Sequence, residues 1–362
     1  MAFNLKRNKF THLSMIIIII ISMLGLFLIE KTKNLSPTSD YSLKFQAAQI
    51  MKESIKVIRD YKVENGLTID KITDPNLTGL IGEEWTPLTT TLGNLTAKRT
   101  ATNPDFAALL IDLFIKAGLK RGDVIAIGAS GSFPSLILAT LSAAKALDLK
   151  PITICALGSS MWGANNPELT WLDMEKILYQ QGLLNYRTIA CSIGAGEDNG
   201  EGLTEEGKNF ILSAIQRNQI SLIREATLEE SIQKRLQIYF ENAKENKIKL
   251  FVNIGGASAN FGECAEVLKI PPGLNKNLKI CHQPNRGIIY EMAEKDIPLI
   301  HLLDIRNLAL KNGLPLDPIP LPEIGKGDIY YQIKYSKTII IVVLGIIITL
   351  LLIFKQKEIS RL

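Results

Sequence analysis

Two apolar runs near the ends of this 362-residue chain restrict its fold more than any other feature. Phe10 to Ile29 is twenty residues without a formal charge, centred on the isoleucines Ile16 to Ile21, and Thr338 to Phe354 adds seventeen more. A helix needs about 20 apolar residues to cross a bilayer, with about 17 as the short limit. Both runs are therefore expected to be transmembrane helices. Lys6, Arg7 and Lys9 give the first run the basic start of a signal peptide. Glu30-Lys31-Thr32-Lys33 follows it without a small-x-small cleavage site, so an uncleaved anchor is expected. Lys355, Lys357 and Arg361 follow the second run. Positive residues stay cytoplasmic, which puts both termini inside and residues 30–337 outside the cytoplasmic membrane.

The same flanks account for the net charge of +5. Six of the 41 Lys and Arg lie in the tails, as does one acid, Glu358, of the 36 Asp and Glu; 35 of each sign remain between the spans. A neutral domain offers no cationic surface to neutralise phosphates, so nucleic acid is excluded as a partner. Four cysteines, Cys155, Cys191, Cys264 and Cys281, would face an oxidising compartment, with three pairings open. Cys155 and Cys191 lie in apolar strand-like runs and read as buried thiols. No CxxC or clustered Cys/His spacing points to a metal, and no motif points to a cofactor.

The expected division is a tail (1–9), a span (10–29), a membrane-proximal helix and loop region (30–102), an α/β domain (103–313), a proline-rich connector (314–337), a span (338–354) and a tail (355–362). Residues 41–60 have helical periodicity ahead of Asn65-Gly66, and 66–102 reads as loop over the domain surface. Beyond Asn103 the pattern alternates. Apolar strands are expected at 123–128, 151–157, 186–193, 221–224, 248–254 and 297–302. Helices are expected at 103–118, 133–148, 168–181, 205–218, 228–245, 259–269 and 286–295. Thr227 with Glu230 makes a capping box, and Gly118 and Gly182 are stop signals. Continuous apolar strands alternating with amphipathic helices predict a mostly parallel sheet with helices on both faces.

Ligands of open parallel sheets bind beyond the carboxyl ends of the strands. That rule gathers the turn "GASGS" (Gly128, Ser130, Gly131, Ser132), Ser159 and Ser160 with Asn165 after them, the acidic loop at Glu197, Asp198 and Glu201, and Gly255, Gly256, Ser258 and Asn260. Pro134 fits the first turn of the helix after the first of these, so its free N–H groups would favour a phosphate or carboxylate near Ser130 and Ser132. The turn matches neither G-x-x-x-x-G-K-[ST] nor G-x-G-x-x-G. Three readings stay open: an anion site, a turn that satisfies only itself, and a nucleophile elbow. In the last, Ser130 is the nucleophile and His282 the base, with Asp173 and Asp198 lying between them in the chain. His301, inside an apolar strand, reads as a core histidine. The acidic loop lacks calcium spacing and reads as solvated.

Residues 123–155 resemble the phosphosugar-binding segment of sugar isomerase domains. They share the apolar strand, the Ser130-Gly131 turn and an alanine-rich helix ending "AKAL", with Gly128 and Phe133 where that pattern has serine and threonine. Over nearly the whole sequence, "VIAIGASGSFPSL", "LGSSMWGANNPELTWLDME" and "NIGGASANFG", set between the two anchors, resemble the bacterial poly-gamma-glutamate system proteins. The resemblance implies a role with the machinery that makes or exports poly-gamma-glutamate, beside its other subunits and the glutamate polymer. That family's molecular role is unassigned, so no catalytic residue carries over. The reading favours a non-catalytic accessory or binding subunit, with a serine-dependent hydrolase or transferase and a phosphosugar-binding module as alternatives.

This topology has a direct test. Protease added to intact spheroplasts is expected to degrade residues 30–337, and a domain cut only after lysis would reverse the orientation.

Overall fold

The computed structural model describes residues 2–359, with side chains from 12 to 356. The side chains of Lys6, Arg7, Lys9, Lys357 and Glu358 lie outside that description, and Arg361 lies outside the described residues altogether. The chain divides into two compact units, one of residues 1–38 with 331–362 and one of Ser39–Tyr330.

In the first unit, helices Ala2–Lys31 and Lys337–Ile359 are joined by an antiparallel ribbon of Asn34–Pro37 with Tyr331–Lys334. The ribbon follows one helix and precedes the other, so the helices lie side by side, Gly25 against Val343. The apolar windows within His12–Lys31 and Lys337–Gln356 are only 11% and 6% buried. A core helix of a soluble domain would hide such a surface; these two are long and apolar enough to cross a membrane.

The second unit is built on a seven-stranded sheet. Its strands are β1 (Val124–Ser130), β2 (Lys150–Ala156), β3 (Ala190–Ser192), β4 (Ser221–Ile223), β5 (Ile248–Ile254), β6 (Gly273–Asn275) and β7 (Leu299–Leu302), in spatial order β4-β3-β2-β1-β5-β7-β6. All neighbours are parallel except β6, which runs antiparallel along the edge of β7. The period-two side-chain alternation of β1 feeds two cores. Ile125, Ile127 and Ala129 enter one, and Val124 and Ala126 the other.

Helices α1 (Tyr41–Glu64), α2 (Leu95–Ala101), α3 (Asp105–Ala117), α4 (Pro134–Ala146), α5 (Trp171–Gln180) and α6 (Glu205–Arg217) precede α7 (Leu228–Ala243), α8 (Ser258–Phe261), α9 (Gly287–Glu294) and α10 (Ile305–Lys311). Met51 of α1, Phe106 and Phe114 of α3 and Trp171 of α5 pack in the first core. Leu236 and Tyr239 of α7 and Ile288 and Met292 of α9 pack in the second, so both faces of the sheet are covered. Local signals set the ends. Asn103 Oδ1 accepts the Asp105 N–H at 3.0 Å, and Gly118 closes α3 at φ +87°. The Thr227–Glu230 capping box starts α7.

Several expectations need correction. The helix at 259–269 is broken: α8 has four residues, and a 3-10 turn at Ala265–Lys269 follows Gly262, where a Cβ would strike the Asn285 carbonyl. The 66–102 stretch is no surface wrap, since Leu80 and Leu88 are core residues and Leu95–Ala101 is a helix; the helix expected at 41–60 is present as α1. The proline-rich stretch also enters the compact unit, where Tyr330 Oη donates to Asp105 Oδ1 at 2.6 Å. Of the three cysteine pairings, Cys264–Cys281 is formed. Cys155 and Cys191 sit opposite each other on β2 and β3 as buried free thiols.

The acidic loop is not solvated at its centre. Asp198 lies against Arg235 of α7 at 2.7 Å, both side chains fully buried, and takes further bonds from Ser192 (2.7 Å) and Ser231 (2.6 Å). This network pins the loop to β3 and α7. Removing one partner of such a pair leaves a buried charge alone, at a cost of about 3–5 kcal/mol. Asp198→Ala is expected to lose that much in urea unfolding of the detergent-solubilised protein, and a loss under about 1 kcal/mol would mean that the pair carries little of the loop's anchoring.

Candidate functional site

The first strand of the sheet in chain order, β1, lies at its centre. The chain adds β2, β3 and β4 on one side and then crosses back to lay β5 and β7 on the other. At such a reversal the loops leaving the two adjacent strands turn to opposite faces and leave a crevice. Here it is a cleft of about 290 Å³. Ser130 at the end of β1 with Ser132 and Phe133 after it, Gly158 and Ser160 after β2, Ala195 and Gly196 after β3, and Gly256, Ala257 and Ser258 after β5 line it. Thr90, Thr91 and Leu92 complete the wall. They belong to the stretch expected to cover the surface, held there by the Thr90 N–H to Ser159 carbonyl bond at 2.8 Å.

Five of the anticipated site residues line this cleft: Ser130, Ser132, Ser160, Gly256 and Ser258. The other six support its walls. A Cβ on Gly128 would come within 2.6 Å of the Asn260 amide, and one on Gly131 within 2.5 Å of the Leu157 carbonyl, so both glycines permit close chain approach. Gly255 turns at φ +76° beside Ser130. Ser159 Oγ donates to the Gly131 carbonyl at 3.1 Å, tying two strand ends together. Asn165 brackets the wall segment, accepting the Glu83 N–H at 3.0 Å and donating to the Glu83 carbonyl at 2.8 Å. Asn260 donates to Asn253 Oδ1 at 3.0 Å.

Ser130, Asp and His do not converge. Ser130 Oγ donates to Ser132 Oγ at 3.0 Å. His282 is exposed and lines a separate groove of about 510 Å³ beside the disulfide, and the cleft lining contains no histidine. Asp198 belongs to Arg235, and Asp173 pairs with Arg217 at 2.5 Å. His301 is a core residue as expected, neutral because burial lowers its pKa to about 4. Its Nδ1 accepts from Asn253 Nδ2 at 3.1 Å, and Asn253 also donates to the Gly255 carbonyl. Among the described residues, one group of metal-type side chains is close together, Cys264, Glu266 and Cys281, and its two sulfurs are already bonded to each other.

The hydroxyls are not equivalent. Ser132 Oγ accepts from Ser130 Oγ and from the Ser160 N–H at 3.0 Å, which leaves its own O–H free for the cleft. Ser160 Oγ accepts from Lys98 Nζ at 2.8 Å. Lys98, on α2, escaped the sequence reading: a lone lysine in a short polar helix carries no pattern. It is 2% exposed, donates also to the Ser132 carbonyl and lies 4.1 Å from the centre of the Phe133 ring. Burial pushes its pKa down to about 7.

Compared with known proteins, the chain matches no family model, no curated relative and no solved structure.

The lysine leaves a mark on stability. Below pH 7 the folded and unfolded chains both hold the Lys98 proton, and the cost of burying the charge is fully present. Between about 7 and the ordinary value of 10.5 the unfolded chain holds a proton that the folded chain has released. Stability is therefore expected to gain a rising contribution across that window, absent in Lys98→Met. Parallel denaturant titrations of both proteins from pH 6 to 10 would show it, and identical pH profiles would contradict it.

Proposed function

We propose that this chain is a membrane-anchored accessory component of bacterial poly-gamma-glutamate synthesis or export, whose α/β domain holds carboxylates in the strand-end cleft. In this reading the terminal helices span the cytoplasmic membrane in two passes with both termini inside. The domain then stands outside, beside the polymer and the other subunits of the system. The resemblance in the three strand-end segments supports the pathway. The Cys264–Cys281 disulfide supports the outer compartment, because such bonds persist where conditions are oxidising.

The observation that carries the binding reading is the cleft's lining: hydroxyls and glycine-rich backbone, with no charged side chain among its residues. Such a surface cannot capture a polyanion by charge. It can hold one or two carboxylates through directed O–H donors, Ser132 foremost, which selects a chain end or short segment. A phosphosugar fits less well, since its phosphate would bring up to two negative charges to a lining without a cation.

Calorimetry across a salt series on the detergent-solubilised protein tests this. Short gamma-linked glutamate oligomers are expected to bind better than alpha-linked ones of equal charge, with a shallow salt slope because few counterions are released. Ser132→Ala is expected to weaken binding by roughly tenfold or more, since a hydrogen bond to a charged group contributes about 1.5–3 kcal/mol; the Ser258 hydroxyl is already donated to the Ala195 carbonyl at 2.7 Å. Equal affinity for both linkages with a steep salt slope would replace this reading with a plain polyanion surface.

A further inference from the structure

Lys98 has no carboxylate partner among the described residues; its Nζ is given to two neutral oxygens and a ring face. A buried cation held only so is a costly anchor, whereas a neutral amine in the same place is a base. Ser160 is the residue between Lys98 and the cleft. Its hydroxyl oxygen meets Lys98 Nζ at 2.8 Å on one side, and the residue lines the cleft on the other. Its backbone is fixed, with the N–H bonded to Ser132 Oγ at 3.0 Å and the carbonyl accepting from Ser159 Oγ at 3.1 Å. Nucleophile and base within hydrogen-bond reach at a cleft wall are the geometric signature of an activated serine.

We propose that Ser160 and Lys98 form a nucleophile–base pair that carries acyl transfer in the cleft, on an amide or ester whose acyl end is small and polar. Ser160 Oγ bonds to the carbonyl carbon while its proton passes to neutral Lys98 Nζ. The tetrahedral adduct then collapses, the bond to the leaving amine or alcohol breaks, and that group takes the proton from Lys98. Water attacks the ester on Ser160, giving a proton to Lys98 that returns to Ser160 Oγ as the acid leaves. A second amine or alcohol in place of water makes the step a transfer. The substrate class rests on the binding reading; the pair itself does not.

Burial is what lowers the Lys98 pKa to about 7, leaving an appreciable neutral fraction at neutral pH. The neighbouring charges are engaged elsewhere or do not enter the shift. On α2, Arg99 is paired with Asp317, and on α4, Lys145 donates to the Gly182 carbonyl. Arg306 and Lys311 on α10, and Glu83 in the wall segment, make no contribution to it.

The test is labelling of the detergent-solubilised full chain with a fluorophosphonate probe, in which Ser160 Oγ displaces fluoride from phosphorus and its proton goes to Lys98. The adduct, mapped by mass spectrometry on the wild-type protein, is expected on Ser160. The labelling rate is expected to rise with pH to a plateau, with a midpoint near 7. Ser160→Ala abolishes it, and Lys98→Arg, which keeps a donor and a charge but cannot deprotonate, slows it by about 100-fold or more. His282→Ala, in a separate groove, leaves labelling of Ser160 in place. An adduct on Ser130, a rate that ignores pH, or Lys98→Arg labelling like wild type would overturn the pair. No wild-type labelling at pH 9, with gamma-glutamyl oligomers still bound in calorimetry, overturns the pair and leaves the binding reading standing. Labelling without oligomer binding does the reverse.

Discussion

The site depends on one constraint of chain winding. A parallel sheet whose first strand lies in the middle must reverse the direction in which strands are added, here between β1 and β5. The loops leaving those strands meet at their base, Gly255 beside Ser130, and then diverge, because each must enter a helix on a different face. The cleft is the space they leave. The adjacent strand ends then decide its walls, and each wall has its own anchor. The Asp198–Arg235 pair holds the loop carrying Ala195 and Gly196, the Asn253–His301 pair holds the Gly255 turn, and Asn165, donating to Thr89 Oγ1, holds the chain that leads into Thr90–Leu92.

Electrostatically the site is quiet on its surface and active behind it. No lining residue carries a charge, while one lysine sits a single hydroxyl away, stripped of water. A low-dielectric setting strengthens directed dipoles and lowers the pKa of an amine at the same time. One packing decision, the burial of α2 beside α4, thus underlies both proposals, carboxylate binding through hydroxyls and proton transfer at Ser160.

What the sequence disclosed follows the range over which each signal acts. Local signals were legible: β5 spans Ile248–Ile254 as its apolar run indicates, and the capping box of Thr227 and Glu230 starts α7 where expected. The strand-end rule located the serine loops because it needs only strand order along the chain. Elements with weak local patterns were hidden. The polar helix α2, the edge strand β6 and the short helix α10 have too few residues to show a period, and β1 runs on to Ser130 through small residues that read as turn. Burial of single polar residues was hidden for a different reason. Asp198 and Lys98 are enclosed by segments far away in the chain, so no spacing announces them. The histidine order that suggested a triad came from chain position alone, and folding sends His282 to another groove.

The central claim is that the space between the β1 and β5 loops is where this protein meets its ligand. A structure of the detergent-solubilised protein with a bound gamma-linked glutamate oligomer tests it most directly. The account expects the oligomer's end in the cleft between Phe133 and Ser258, with a carboxylate or carbonyl oxygen within hydrogen-bond distance of the Ser132 or Ser160 hydroxyl. An oligomer seated in the groove beside His282, with the strand-end cleft empty, would contradict it.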